Sequence, residues 1–411
     1  MRTVGIVVEY NPFHNGHLYH LQQAKQITSA DAVVAVMSGN FLQRGEPALV
    51  DKWTRAEMAL RSGVDLVLEL PTVYACQPAE WFAYGAVATL EATGIVHTLC
   101  FGSESGQLDW MQEVAITLAR EPQLFRKSLR NNLKKGWSFP EAYSHSLQLI
   151  HPDIPAELAK PNNILGISYC AALHKLNSRI QPFTIRREKA GYHQAELKDE
   201  RIASATAIRR TWFESGDLET IQPFVPPSTY HLLKVRTKEG VPPLTWESFH
   251  QALFGKLISA TPEELAEYCA VEEGLEYRLK QQLPHADTVN DYISAVKTKR
   301  YTWNRLQRVL TSILLGFRKT DMNRSVLVHG PEYLRVLGFT DLGREMLKQM
   351  KETATLPIIS RIKKEHPRML EWDIRASMLY NLATGWRIPF NEEFMRSPVY
   401  VPSAAGGNLC K

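Results

Sequence analysis

Met1-Arg2-Thr3-Val4-Gly5-Ile6-Val7-Val8-Glu9-Tyr10-Asn11-Pro12-Phe13-His14-Asn15-Gly16-His17-Leu18-Tyr19-His20 opens the chain, and the change of period inside it decides the fold. Val4 to Val8 is a short β-branched run, which predicts a strand buried on both faces of a parallel sheet. Asn11-Pro12 stops it, because proline has no N–H and disfavours helix in the residue before it. From Gly16 onward Leu18, Leu21 and Ala24 fall on one helical face. The stretch therefore reads strand, tight turn, helix, with His14-Asn15-Gly16-His17 at the turn.

That placement has chemical content. A helix N-terminus carries unpaired amides and about half a positive charge, which makes it an anion site. His14 and His17 are three apart and point the same way if the first turn is helical. Gly16 between them leaves the backbone open to a bulky ligand. Two imidazoles over a bound phosphate would stabilise charge as phosphorus passes through a five-coordinate state. The competing reading is a turn with two solvated histidines.

The stretch resembles the HxGH signature of the nucleotidyltransferase-like α/β superfamily, which cleaves ATP or CTP between the α and β phosphates. A second superfamily motif, ISSTxIR, is resembled by Ile202-Ala203-Ser204-Ala205-Thr206-Ala207-Ile208-Arg209, which departs from it at Ala203 and Ala205. Ser204 is a natural N-cap, and Thr206 and Arg209 fall in the first turns, where phosphate oxygens would sit.

Composition sets the bounds. The 411 residues suffice for two or three domains, and 44% hydrophobic with 22% charged residues is ordinary for a globular protein. No run approaches the roughly 20 apolar residues of a membrane helix. No signal peptide is expected, since the N-terminus enters a strand directly. Cys76, Cys100, Cys170, Cys269 and Cys410 are scattered without a CxxC pair, which predicts free thiols in a reducing, cytoplasmic setting and no zinc. A net charge of +5 is too small to establish nucleic-acid binding by itself.

Strand and helix alternate through the first half. Asp31 to Met37, Val64 to Leu70, Val96 to Phe101 and Ile180 to Ile185 are predicted strands, with helices from Asp51 to Ser62, Ala79 to Ala92 and Ile164 to Leu176. The loop Ser38 to Ala48 leaves a strand at its carboxyl end, where open α/β sheets bind ligands. It either lines a small anionic pocket or is only a connection. Gly102 follows a strand and suits close approach of adenine or ribose, or else marks a plain turn. Asn162 either bonds the nucleotide or merely starts a helix. Arg186-Arg187-Glu188-Lys189 ends the last strand, with its basic residues well placed for phosphates. Leu108 to Leu158 reads as a helical insertion bearing Arg126, Lys127, Arg130, Lys134 and Lys135. The expected fold is a doubly wound parallel sheet over residues 1–216, interrupted by that insertion at about 108–158.

Residues 217–411 are expected to form an α-helical second domain. Thr261-Pro262-Glu263-Glu264 is a capping box with proline at the first helical position. Lys297, Lys299, Arg300, Arg305, Arg308, Arg318 and Lys319 follow one another without an acid, interleaved with Tyr301 and Trp303. Basic residues neutralise phosphates and aromatics stack on splayed bases, so Lys297, Lys299, Arg300, Trp303, Arg305 and Arg308 are the candidate RNA contacts. The alternative is a solvated helix whose Trp303, Leu306, Val309 and Leu310 form a core stripe. Ser403 to Lys411 read as a loose tail.

Glu9 to His17, Ser38 to Ala48 and Pro161-Asn162-Asn163-Ile164-Leu165-Gly166 together resemble one bacterial family, the tRNA(Met) cytidine acetate ligases. The resemblance implies activation of acetate by ATP and acetylation of N4 of the wobble cytidine of elongator tRNA(Met). By carry-over, ATP binding falls to Val7, Val8, Glu9, Tyr10, Asn11, Pro12, Phe13, His14, Asn15, Gly16, His17, His20, Gly102, Asn162 and Arg187. Ser204 and Thr206 join them from the second motif, and His14 and His17 are the catalytic candidates. The resemblance does not fix an acetate pocket; Ser38, Asn40 and Gln43 are the candidates offered here. Mg2+ is expected to arrive with the nucleotide, with no metal site of the protein's own. No acyl-CoA pyrophosphate loop of the Q/R-x-x-G-x-G/A kind is present, which argues for free acetate as donor. The alternative activity is a nucleotidyltransferase or small-acid ligase with a non-RNA acceptor; a third is an RNA-binding factor without turnover. The oligomeric state is not legible.

Overall fold

The structure, a computed structural model, describes all residues except 121, 138, 153–157, 159, 188–201 and 403–411. Glu188 and Lys189 of the basic run, Cys410 and the tail from Ser403 therefore lie outside the described residues. An eight-stranded sheet runs in the order β5-β4-β1-β2-β3-β6-β7, with β8 also paired to β6. The first five strands are β1 (Thr3–Val8), β2 (Ala32–Ser38), β3 (Leu66–Leu70), β4 (Thr98–Ser103) and β5 (Gln181–Arg186), and their pairings with one another are all parallel.

Both faces of β1 to β4 are buried, as their apolar runs require, while β5 at the sheet edge is only half-buried. Val34, Val36, Leu66 and Leu68 face one core, with the helices Ala79–Ala92 and Pro161–Lys175. Val4, Ile6, Val33, Ala35, Met37 and Val67 face the other, with α1 (Asn15–Thr28) and α2 (Lys52–Arg61). The order reverses between β1 and β4, so the carboxyl end of β1 lies at a topological switch point. The expected insertion contains the helices Asp109–Ala119, Gln123–Lys134 and Phe139–Gln148.

The expectation of helices alone beyond Asp217 needs correction. β6 (Leu334–Phe339) pairs antiparallel with β3, and β7 (Ile358–Ile359) and β8 (Val399–Tyr400) pair with β6. Nor does residue 216 separate two cores: Leu68, Tyr74, Phe249, Leu310 and Leu334 share one apolar cluster. The helical segments, among them Pro227–Lys238, His250–Ser259, Trp303–Leu315 and Leu370–Ala383, close over the sheet's carboxyl edge.

Charges are buried at that junction. Lys52 is fully buried, with Nζ 2.8 Å from Glu69 and 3.0 Å from Glu393. Burial works against its charge, but Glu393 and Glu69 outweigh burial and raise its pKa. Arg335 of β6, equally buried, lies 3.6 Å from Glu393, and Tyr333 donates to Asp373. Ion pairs this dry make little net contribution but are costly to break, so they fix how the late segments seat on β3.

Candidate active site

The strand–turn–helix at the N-terminus forms as the sequence predicts, and the histidines complete its cap. His14 is the N-cap of α1: its Nδ1 accepts from the Gly16 amide at 3.1 Å. His17 Nδ1 accepts in turn from the His14 amide at 3.2 Å. The two rings stack with centroids 3.6 Å apart. Because both Nδ1 atoms accept from backbone, a neutral imidazole carries its proton on Nε2 in each case. Tyr10 and Phe13, both buried, pack their rings against His17 at 5.0 and 5.7 Å and hold its orientation.

All three histidines are neutral in the free protein. Burial, then Arg187 and Arg209, lowers the His14 pKa to about 3. Burial, then His14 and Arg187, pulls His17 well below its usual value. Burial and Arg187 bring His20 to about 4, and its Nε2 is buried with no partner among the described residues. The site thus presents N–H donors and a guanidinium, an arrangement that welcomes an anion and is repelled by a further proton.

Two more elements converge on this turn. Arg187 follows β5 and runs over Gly102, where a Cβ would fall 2.9 Å from Arg187 Cγ, so that approach requires glycine. Glu104 accepts from Asn162 Nδ2 at 2.8 Å and from the amides of Asn162 and Asn163 at 3.2 and 2.8 Å, capping the helix Pro161–Lys175. Asn163 Oδ1 accepts from the Glu104 and Ser105 amides at 2.9 and 3.2 Å. Asn162 is therefore brought to the segment after Gly102, with its side chain bonded to Glu104. Ser204 caps the helix Ala205–Ser215 by accepting from the Ala207 amide at 3.2 Å, while Thr206 is exposed. Arg209 donates to the Asn11 carbonyl at 2.9 Å and to Glu46 at 3.1 Å. Asn15 donates to the Pro223 carbonyl at 3.0 Å.

The loop after β2 is clamped in place rather than mobile. Gln43 donates its amide to Glu9 Oε1 at 2.7 Å, and Leu49 donates to Asn11 Oδ1 at 2.7 Å. Thr311 and Tyr380 bond the carbonyls of Gly45 and Ala48 at 2.7 and 2.8 Å. Gly45 sits at φ +77°, and a Cβ there would lie 2.3 Å from the Arg308 backbone nitrogen, so only glycine allows this approach. Of the acetate candidates, Asn40 spends its amide on Ser377 and the Lys52 amide, and Gln43 Nε2 donates to the Gln77 carbonyl. Ser38 Oγ is buried and has no partner among the described residues.

Sequence reasoning missed Arg55 and Glu104. Arg55 is fully buried with no carboxylate ion pair among the described residues; it donates to the carbonyls of Val50, Glu9, Ser38 and Gly39, joining the ends of β1 and β2. Its signal was a charge on the inward face of a predicted helix. Among the tRNA candidates, Lys297, Lys299 and Arg300 are exposed; Arg300 and Arg305 lie 2.6 and 3.8 Å from Glu273. Arg308 is largely enclosed, and burial lowers its pKa to about 10.

No cluster of three or more His, Cys, Asp or Glu among the described residues is arranged for a metal ion. Donors line the site, and both Glu104 oxygens are engaged, so an accompanying Mg2+ would be held by the phosphates themselves. No helix of the described residues is long and apolar enough to cross a membrane.

The HIGH Nucleotidyl Transferase family model matches residues 1–392, a span that includes this donor-rich turn with its paired imidazoles at the switch point of a doubly wound sheet. A tRNA(Met) cytidine acetate ligase of Halothermothrix orenii is 41% identical over 403 residues, covering 93% of this chain and 95% of that protein. One of Clostridium perfringens is 39% identical over 409 residues, covering 97% and 99%. The solved structure of Thermotoga maritima TmcAL bound with alpha-thio ATP superposes with a TM-score of 0.90 at 35% identity, covering 98% of this chain and all of that one. The chain belongs to the tRNA(Met) cytidine acetate ligase family.

Proposed function

We propose that the chain is an ATP-dependent acetate ligase that forms acetyl-adenylate and then acetylates N4 of the wobble cytidine of elongator tRNA(Met), in the cytoplasm. The observation that carries the chemistry is the pair of neutral, stacked imidazoles, His14 and His17, whose Nδ1 atoms are both occupied by backbone amides. Acetate is a poor electrophile until its oxygen gains a good leaving group. A carboxylate oxygen attacks the α-phosphorus, the bond to the bridging oxygen breaks, and pyrophosphate leaves with the electron pair. The Nε2–H groups of His14 and His17, with Arg187, donate to the phosphate oxygens as charge develops on them. Arg55 and Arg209 hold the turn and its neighbouring loop in register. Adenine and ribose fit the segment at Gly102 and Asn162.

The cytosine amine then attacks the acetyl carbon, loses a proton, and AMP departs. The base must be splayed from its stack to reach that carbon, as for other enzymes that act on bases. Mg2+ would neutralise part of the triphosphate charge. The test is acetate-dependent pyrophosphate release from ATP. Release that requires acetate supports the reading, and release indifferent to acetate refutes it.

A further inference from the structure

A cavity of about 210 Å³ lies between the loop after β2, the helix of the second motif and the later helical segments, and the chemistry above does not use it. Its aromatic walls come from three separate elements: Phe213, Trp246 and Trp303. Asn290 and Gln307 add amide groups, and Glu46 with Arg209 forms the side nearest the histidine turn. Trp246 is 4% exposed, and its indole N–H has no partner among the described residues. That N–H is itself closed off, so Trp246 offers the cavity its ring rather than a donor.

The volume corresponds to roughly seven waters, room for one planar base and not for a nucleotide chain. Aromatic walls with a few edge-reading polar groups are how proteins hold an unstacked base. The surroundings fit the same occupant. Trp303 opens the helix that carries Arg305 and Arg308, and the exposed Lys297 and Lys299 precede it. On the inner side, Arg209 links the Glu46 wall to the Asn11 carbonyl, three residues before His14.

We propose that this cavity receives the cytosine that is acetylated, with Phe213, Trp246 and Trp303 packing on the base and the Glu46 carboxylate accepting from the exocyclic amine. Uracil would set a carbonyl against that carboxylate, so the same group that favours cytosine rejects uracil. This assignment rests on the functional reading above and names its base-binding residues.

The test uses Trp303→Ala, which removes one aromatic wall, and Phe213→Ala, at an exposed wall position. Both are assayed for acetate-dependent pyrophosphate release and for acetyl transfer to an elongator tRNA(Met) anticodon stem–loop. Binding is measured with the same stem–loop carrying cytidine or an abasic site at the target position. The expected result is pyrophosphate release within about twofold of wild type, transfer kcat/KM lowered roughly ten- to a hundredfold, and a collapsed preference for cytidine over the abasic RNA. Wild-type transfer and an intact cytidine preference in both variants would overturn the assignment. So would a raised KM for ATP, which would give the cavity to the nucleotide. If the wild-type protein acetylates no RNA at all, the functional reading fails first and the cytosine assignment falls with it.

Discussion

Arg209 Nη1 donates to the Asn11 carbonyl at 2.9 Å while its Nη2 lies 3.1 Å from Glu46 Oε1, so one guanidinium ties the late motif to the turn before His14. The fork geometry does this, and a lysine ammonium cannot serve both acceptors in the same way. Arg209→Lys should retain the fold and slow acetate-dependent pyrophosphate release by about tenfold, since small misplacements of a catalytic group are expensive. Release at the wild-type rate would show that the bridge does not position the site.

His14 combines two roles that substitutions can separate. Asparagine caps helices well, whereas alanine at an N-cap costs about 1 kcal/mol. His14→Asn should therefore match wild type in chemical denaturation while His14→Ala is less stable. Both should lose adenylate formation by on the order of a hundredfold, because neither supplies the Nε2–H. Activity retained in His14→Asn would restrict His14 to the cap.

The histidines should not titrate in the usual range. With His14 at about 3 and His20 at about 4, nitrogen-detected NMR of the free protein should show neutral imidazoles between pH 5 and 8. For His14 and His17 the proton should be on Nε2. Folding lowers these pKa values, so their contribution to stability is full above about pH 6.5 and is lost as pH falls toward about 3 to 4. Protonation of either catalytic ring near pH 6.5 would contradict the burial argument.

Among the candidate RNA contacts, the exposed lysines should matter more than the arginines paired with Glu273. Lys297→Ala with Lys299→Ala should weaken tRNA binding and reduce the salt slope by about 1 per lysine. Adenylate formation should not change. An unaltered slope would move the RNA surface elsewhere, for instance to the exposed Arg126, Lys127, Arg130, Lys134 and Lys135.

Lys52→Met should lower stability by roughly 3–5 kcal/mol, because it leaves Glu69 and Glu393 buried without the cation that pairs with both. Chemical denaturation measures this directly. A change below about 1 kcal/mol would mean that water reaches the cluster.

The histidine turn was legible because its signals are local: a β-branched run, a proline break and a helical period within twenty residues. The parallel strands were legible for the same reason. β6 was not. Leu334-Arg335-Val336-Leu337-Gly338-Phe339 carries an arginine mid-strand, and its partner β3 lies far back in the chain. Arg335 is met there by Glu393 and the Trp53 ring, each from yet another segment. Arg55, Glu104 and the loop around Gly45 were hidden likewise, since each acts through backbone groups that only the folded chain brings near. The paired imidazoles were foreseen as charge stabilisers, but not as cap residues whose tautomers the Gly16 and His14 amides fix.

The most direct test of the central claim follows labelled acetate. The protein is incubated with ATP, carboxyl-labelled acetate and elongator tRNA(Met), and label in the RNA is compared with pyrophosphate released. The account predicts label on N4 of the wobble cytidine, one pyrophosphate per acetyl group transferred, and neither product with His14→Asn. Pyrophosphate released without label in the RNA would contradict it and place the acceptor elsewhere.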